Sequence, residues 1–170
     1  LSLVGSEMCI RDRWDLCGNP NGLPHDPFLT FTFLDALERS KSSIADTGWT
    51  PYHLKLEDES NSCVLAVVPM YLKNHSAGEY VFDHSWADAF ERAEGKYYPK
   101  FKIAIPFTPA TGRRLLIRSD QDQKQIGGYL VRGLTQIAAE TGVSSVHITF
   151  TDKLQWELTG KLGFLRRTHK

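Results

Sequence analysis

The residues that could do chemistry are concentrated in the middle of the chain. His75, Glu79, Asp83 and His84 stand close together in sequence. A carboxylate or imidazole beside a nucleophile can take up its proton, which makes Asp83, His84 and Glu79 candidate general bases and His75 a candidate substrate contact. The same groups can instead pin a groove wall by hydrogen bonds. Read as a strand, 79–83 puts Glu79 and Asp83 on one face and leaves His84 opposite. Metal ligands must converge, so no metal is expected. Tyr97-Tyr98-Pro99-Lys100 offers a phenol as proton donor, Tyr98, and a lysine that can clamp an anion. The plainer reading is an aromatic lid over the edge of the core.

A third group, Thr108, Thr111, Gly112 and Arg114, follows an expected strand end, where open sheets commonly bind ligands. Arg114 has the planar fork that grips a carboxylate or phosphate, or it forms a surface salt bridge. Trp86 and Trp156 read as helix core residues. Cys17 and Cys63 have no base beside them in sequence, and Cys63 opens an apolar run, so no nucleophilic thiol is expected.

These residues need elements to hold them. Asp26-Pro27 reads as a helix start, with a helix to about Ser40. Tyr52–Glu57 alternates and Cys63–Tyr71 is nearly all apolar, so the two form a β-hairpin, with Pro69 at a bulge or an unpaired position. Glu79–Asp83 reads as a short strand and Ser85 as the cap of a helix over 86–93. Lys100–Ile105 alternates again, with Phe101, Ile103 and Ile105 inward. Ser119 is the candidate cap of a helix carrying Ile126, Leu130, Leu134 and Ile137. A strand over 143–150 follows, then a helix capped by Thr151. The expected fold class is α+β, a three-layer α/β arrangement in which a mixed twisted sheet has helices on both faces, cut short before its last strand.

Charge is balanced, with 20 Lys+Arg against 20 Asp+Glu, so no basic field draws in nucleic acid. The apolar run Cys63–Val68 is too short to span a bilayer. Three cysteines without CxxC spacing fit neither a disulfide scaffold nor a zinc site, and a cytoplasmic setting is expected. Leu1–Arg13 lacks the pattern of a signal peptide and resembles translated adaptor sequence. It is expected to stand outside the fold, disordered or weakly helical, which leaves 14–170 as one domain.

The order strand 100–105, helix 120–141, strand 143–150, helix 152–161 and the turn Lys161-Leu162-Gly163-Phe164 resembles the GNAT acyltransferase superfamily. A closer resemblance rests on Asp26-Pro27-Phe28-Leu29, on 48–54 (GWTPYHL) and on 71–83 (YLKNHSAGEYVFD). Trp86-Ala87, Tyr97-Tyr98-Pro99-Lys100, Pro106-Phe107-Thr108-Pro109, Thr111-Gly112 and Gly163-Phe164-Leu165-Arg166-Arg167 complete it. These motifs resemble the FemAB-like predicted N-acyltransferases, bacterial proteins described as peptidoglycan-biosynthesis-like.

That resemblance implies transfer of an acyl or aminoacyl group from an activated carrier to an amine. It implies acyl-CoA or aminoacyl-tRNA as donor substrate, no tightly bound cofactor, and a small-molecule or peptide acceptor. Tyr98, Asp83 and His84 would then be catalytic, with His75, Thr108, Gly112 and Arg114 binding substrate. Relatives carry two GNAT-like halves, so the expected partner of 14–170 is a second such half, and the fragment alone is expected to be inactive. The alternative is a non-catalytic half that recognises a peptide, a cell-wall precursor or a partner domain. One departure favours it. GNAT proteins hold the donor's pyrophosphate on a [RQ]xxGx[GA] loop at a helix N-terminus. Here the nearest string, Gln123–Gly128, has the wrong glycine spacing, and Gly127-Gly128 falls inside the helix, where close packing is the natural reading.

Overall fold

Pro69 has no N–H to give to a strand ladder, and the long apolar run from Cys63 divides there. In the computed structural model, which describes residues 7–60, 63–81 and 83–168, β3 (Cys63–Val68) ends before Pro69 and β4 (Met70–Lys73) begins after it. β3 is the middle of a three-stranded antiparallel sheet between β2 (Leu54–Asp58) and β6 (Leu116–Ile117). β4 belongs to a four-stranded sheet ordered β1 (Thr50–Pro51), β4, β5 (Lys100–Ile103), β7 (Val146–Ile148). β4 and β5 are antiparallel, β5 and β7 parallel. The expected hairpin is therefore present as β2 and β3, but its apolar run serves two sheets. The fold is α+β.

Helices cover both faces of the three-stranded sheet. On one face Leu54, Ala66, Val68 and Ile117 pack with Phe101 and Ile103 against Ile126, Leu130 and Leu134 of α4 (Gln123–Thr141). On the other, Val64, Val67 and Leu116 meet Trp14 and Cys17 of α1 (Glu7–Gly18) and Leu34 of α2 (Phe31–Arg39). The boundary expected at Trp14 falls inside α1, so residues 7–13 are the first turns of that helix; residues 1–6 lie outside the described ones.

Local expectations hold where short-range chemistry dominates. Asp26 accepts from Phe28 N at 3.0 Å, but the turn it caps is a single 3-10 turn, Pro27–Leu29, and Thr30 caps α2 instead. Ser119 and Thr151 yield to nearby aspartates. Asp122 accepts from Gln125 N at 2.7 Å and Asp152 from Gln155 N at 2.8 Å, capping α4 and α5 (Lys153–Lys161). A carboxylate at that position also gains from the positive end of the helix.

The larger departure lies between β4 and β5. Among the described residues of 79–83 no strand forms: the chain passes through turns from Asn74, with Gly78 at φ +76° and Tyr80 at φ +56°. Asp83, not Ser85, holds the N-cap position of α3 (His84–Arg92), and its carboxylate makes no capping bond. Trp86, read as core, is 57% exposed; the buried residue of α3 is Ala87.

Gly127 sits where α4 meets α5: a Cβ there would lie 2.8 Å from Leu158 Cδ2. At Gly128 the nearest contact would be Arg132 Nη2, at 3.9 Å. Gly127→Val should cost about 1–3 kcal/mol by overpacking. Gly128→Ala should be neutral or stabilise by up to about 1 kcal/mol through helix propensity. Urea denaturation midpoints at constant m decide both.

Candidate functional site

β4 and β5 place side chains on alternate faces. Met70, Leu72, Phe101 and Ile103 go to the apolar core, and in the same register Tyr71 pairs with Lys102 and Lys73 with Lys100. His147 pairs with Lys102 from β7. This second face holds three lysines, and a solvent face would be the ordinary place for them. Here the insert 74–98 closes over it. Lys73, Lys100 and Lys102 are 0%, 0% and 1% exposed.

Charge in such a layer must be compensated. Glu79 and Asp83, themselves buried, come down from the insert. Glu79 Oε2 lies 2.7 Å from Lys102 Nζ and 3.2 Å from Lys100 Nζ. Lys100 Nζ also donates to Asp83 Oδ2. Two phenols complete the carboxylate: Tyr97 OH donates to Asp83 Oδ2 at 2.6 Å and Tyr98 OH to Oδ1 at 3.2 Å. Among the described residues no carboxylate lies within ion-pair distance of Lys73. Its Nζ donates to Ala77 O at 3.1 Å and stands 3.8 Å from the ring centroid of buried Trp49.

These surroundings set the protonation states. Burial opposes ionisation of Asp83, but bonds from Lys100 and Tyr97 outweigh it and hold the carboxyl well below the usual range. Burial brings Lys73 down to about 8 and lowers Lys102 as well. Burial, then Asp83, raises Tyr97; Tyr98 rises to about 12, again chiefly through burial. Both phenols keep their protons and donate. Burial, followed by Lys100 and Lys102, brings His147 down to about 4. Its imidazole is neutral and lies 2.9 Å from Ser145 Oγ through Nε2.

Of the residues singled out by sequence, the structure joins Asp83 and Tyr98 in this layer, with Glu79 and Lys100. His84 opens α3 and is exposed. His75 is exposed, accepts from Ala77 N at 3.2 Å and lies against Gly48, where a Cβ would fall 2.3 Å from its ring. Thr108 Oγ1 donates within its own turn to Pro106 O. Lys73, Lys102, His147 and Trp49 were not singled out. Period-two alternation in Lys100-Phe101-Lys102-Ile103 marked the lysines as one face, but nothing local marked that face as covered.

Gly112 and Arg114 lie at a second place, where β5 and β7 part. Their pairing ends with Thr149 N donating to Ile103 O at 3.2 Å. Beyond it Gly112 takes the place beside the continuation of β7: Gly112 N donates to Phe150 O and Asp152 N to Gly112 O. Arg114, buried at 1%, donates to the carbonyls of Thr149, Arg113 and Ala110 at 3.0, 2.9 and 2.6 Å. Arg114 thus forms neither a surface salt bridge nor an open anion clamp. The strands do lie side by side, as expected, but their gap is occupied by this segment.

Among the described residues no three of His, Cys, Asp and Glu are grouped as metal ligands, and no helix is long and apolar enough to cross a membrane. Fold and site together define an α+β protein whose central sheet carries a sealed lysine–carboxylate layer. A family model described as FemAB-like, peptidoglycan biosynthesis/recognition, matches residues 7–170, and the chain belongs to that family. No curated protein matches it.

Asp83 has a folded value below the ordinary carboxylate value of about 3.9, so its contribution is full above about pH 5 and drains as pH falls. Asp83→Asn should cost about 3–5 kcal/mol at neutral pH, because Lys100 is left buried without it. It should also flatten the acid limb of the stability curve. Lys73 has the opposite sign: the unfolded chain holds its proton more tightly between about 8 and the ordinary 10.5. Stability should therefore rise with pH from about 8 towards 10. The rise should be shallower in Lys73→Met, as chemical denaturation across pH would show.

Proposed function

We propose that this chain is the recognition part of a FemAB-like protein, binding a peptidoglycan precursor that bears an acceptor amine, and that it does not hold the acyl donor. The observation that carries this reading is the filled gap between β5 and β7. An acyl carrier lying between parted strands would need the space and backbone groups that Gly112 and Arg114 use. The start of α4 supports it. Asp122 caps that helix with a carboxylate, which repels a phosphate, and Gly127 is committed to packing against Leu158. Transfer of an acyl or aminoacyl group to the bound amine then takes place in company with a second GNAT-like half, which supplies the donor.

A second reading, in which this half itself assists transfer, is favoured by one observation. Tyr97 and Tyr98 are only half-buried, and they share the Asp83 carboxylate with Lys100. A phenol held there can hand a proton to a leaving group or orient an amine.

Thermal-shift measurements with acyl-CoAs, charged tRNA and muropeptides separate the readings. Stabilisation by muropeptide alone is expected; stabilisation by a donor overturns the first reading. In the full-length protein, Tyr98→Phe should leave turnover within about threefold under the first reading. Under the second it should lower turnover by about 10²-fold, the ordinary scale of a lost proton donor. The melting temperature should fall by the same few degrees under either reading, because the hydrogen bond to Asp83 is lost in both.

A further inference from the structure

Residues 74–98 are tied to the sheet by charge and by little else. Among the described ones, those buried are Ser76, Glu79, Asp83 and Ala87, so Ala87 is the one buried apolar anchor. Every other residue of α3 is exposed, and α3 packs closely against no other helix or strand. Its ties are single side chains: Arg167 over the ring of Trp86 at 5.1 Å, and Tyr97 edge to face with Phe90 at 6.2 Å. A nine-residue helix is marginal when nothing packs against it. Segments with so little buried apolar surface open locally at free energies well below that of the whole fold. Buried ion pairs do not make up the difference, because the hydration regained on opening offsets most of their attraction.

The face beneath does not need this segment for its shape. Strand register alone sets Lys73 opposite Lys100, with Lys102 two residues further along β5. Side chains opposite one another in an antiparallel pair start about 5 Å apart, and those two residues apart on one strand about 7 Å apart. Three ammonium groups therefore fall within reach of one small molecule. In the closed protein the acidic groups on them are the segment's own. Glu79 bridges Lys100 and Lys102, and Asp83 shares Lys100. With the segment lifted, the lysines form a cationic patch flanked by Tyr71 and His147. Such a patch suits a compact anion with two or more acidic groups. A nucleic acid would require a wider basic surface, and the charge of the chain is balanced.

We propose that residues 74–98 form a lid that lifts from the sheet as one unit, and that the lysine face beneath it binds a compact polyvalent anion in the places of the Glu79 and Asp83 carboxylates. The lid is then an internal competitor: the anion and the two carboxylates take turns on the same lysines. This ligand is neither the acceptor amine nor the acyl group of the readings above.

Hydrogen exchange followed by mass spectrometry reads the lid directly. In the wild-type chain the amides of α3 should be protected at least about tenfold less than those of α4 and β3. Glu79→Gln keeps the shape and removes one charge. It should speed exchange over 74–98 at least about tenfold and leave α4 unchanged. Pyrophosphate and citrate are the probes, each compared with sodium chloride at equal ionic strength. Either should speed exchange over 74–98 by holding the open form. By calorimetry either should bind Glu79→Gln at least about tenfold more tightly than the wild type, because the open form is more populated. Replacing both Lys100→Met and Lys102→Met should abolish the response to the probes. Exchange of α3 at the rate of α4 in the wild type and in Glu79→Gln overturns the lid. Equal binding to those two chains, or an effect that sodium chloride reproduces, overturns the lysine site. A response to one probe alone supports the site and names its acidic group as phosphate or carboxylate. Should Glu79→Gln not fold, wild-type exchange with and without the probes decides, and no response to either overturns the site.

Discussion

Lys100 and Lys102 leave β5 on the side away from the apolar core, and Glu79 and Asp83 come down on them from the insert. The sheet and the insert depend on this contact in both directions. Without the carboxylates, three ammonium groups would be sealed in a layer with few other partners. Without the lysines, the insert would have neither charge nor apolar anchor enough to lie flat, since it contributes few residues to the core clusters. Buried ion pairs are poor sources of net stability, because desolvation cancels most of their attraction. Their value here is positional. One insert conformation satisfies the lysines, and that conformation puts Tyr97, Tyr98 and α3 where they stand.

Around this contact the second face of the sheet is finished with groups that tolerate little change. Gly78 approaches Phe107 and Trp49 so closely that a Cβ would lie 2.6 Å from one ring and 3.1 Å from the other, at a positive φ that already favours glycine. Gly48 is held in the same way against His75. The far end of β5 shows the same economy. Where β5 and β7 diverge, the guanidinium of Arg114 satisfies carbonyls that would otherwise face a cleft. Burial lowers its proton affinity, to about 10, but does not discharge it. The sheet is consequently closed where β5 and β7 diverge, while Trp86 and Phe90 of the insert stay exposed.

Much of the scaffold was legible beforehand. The amphipathic stripe of α4, the alternation in β2 and β5, the unpaired position at Pro69 and the aspartate-rich approach to α4 are local properties, fixed by periodicity, ring geometry and short-range hydrogen bonds. Candidate residues fared according to how local their roles are. Asp83 and Tyr98 do meet, since Tyr97-Tyr98-Pro99-Lys100 carries the phenols and the lysine that share one carboxylate. Arg114 reads as a surface fork in sequence and lies buried among carbonyls in the structure, because what surrounds it arrives from residues 110 and 149.

By itself the sequence determined an α+β fold, its helix stripes and strand alternation, and the FemAB-like membership. Each depends on neighbours within a few positions or on the pattern of the whole chain. Only the tertiary structure decided that three lysines are buried, that His147 stands neutral among them, and that Trp86 faces out. Whether a side chain is wet or dry is settled by the segment that folds over it, and here that segment joins distant parts of the chain by charge, which leaves no periodic trace.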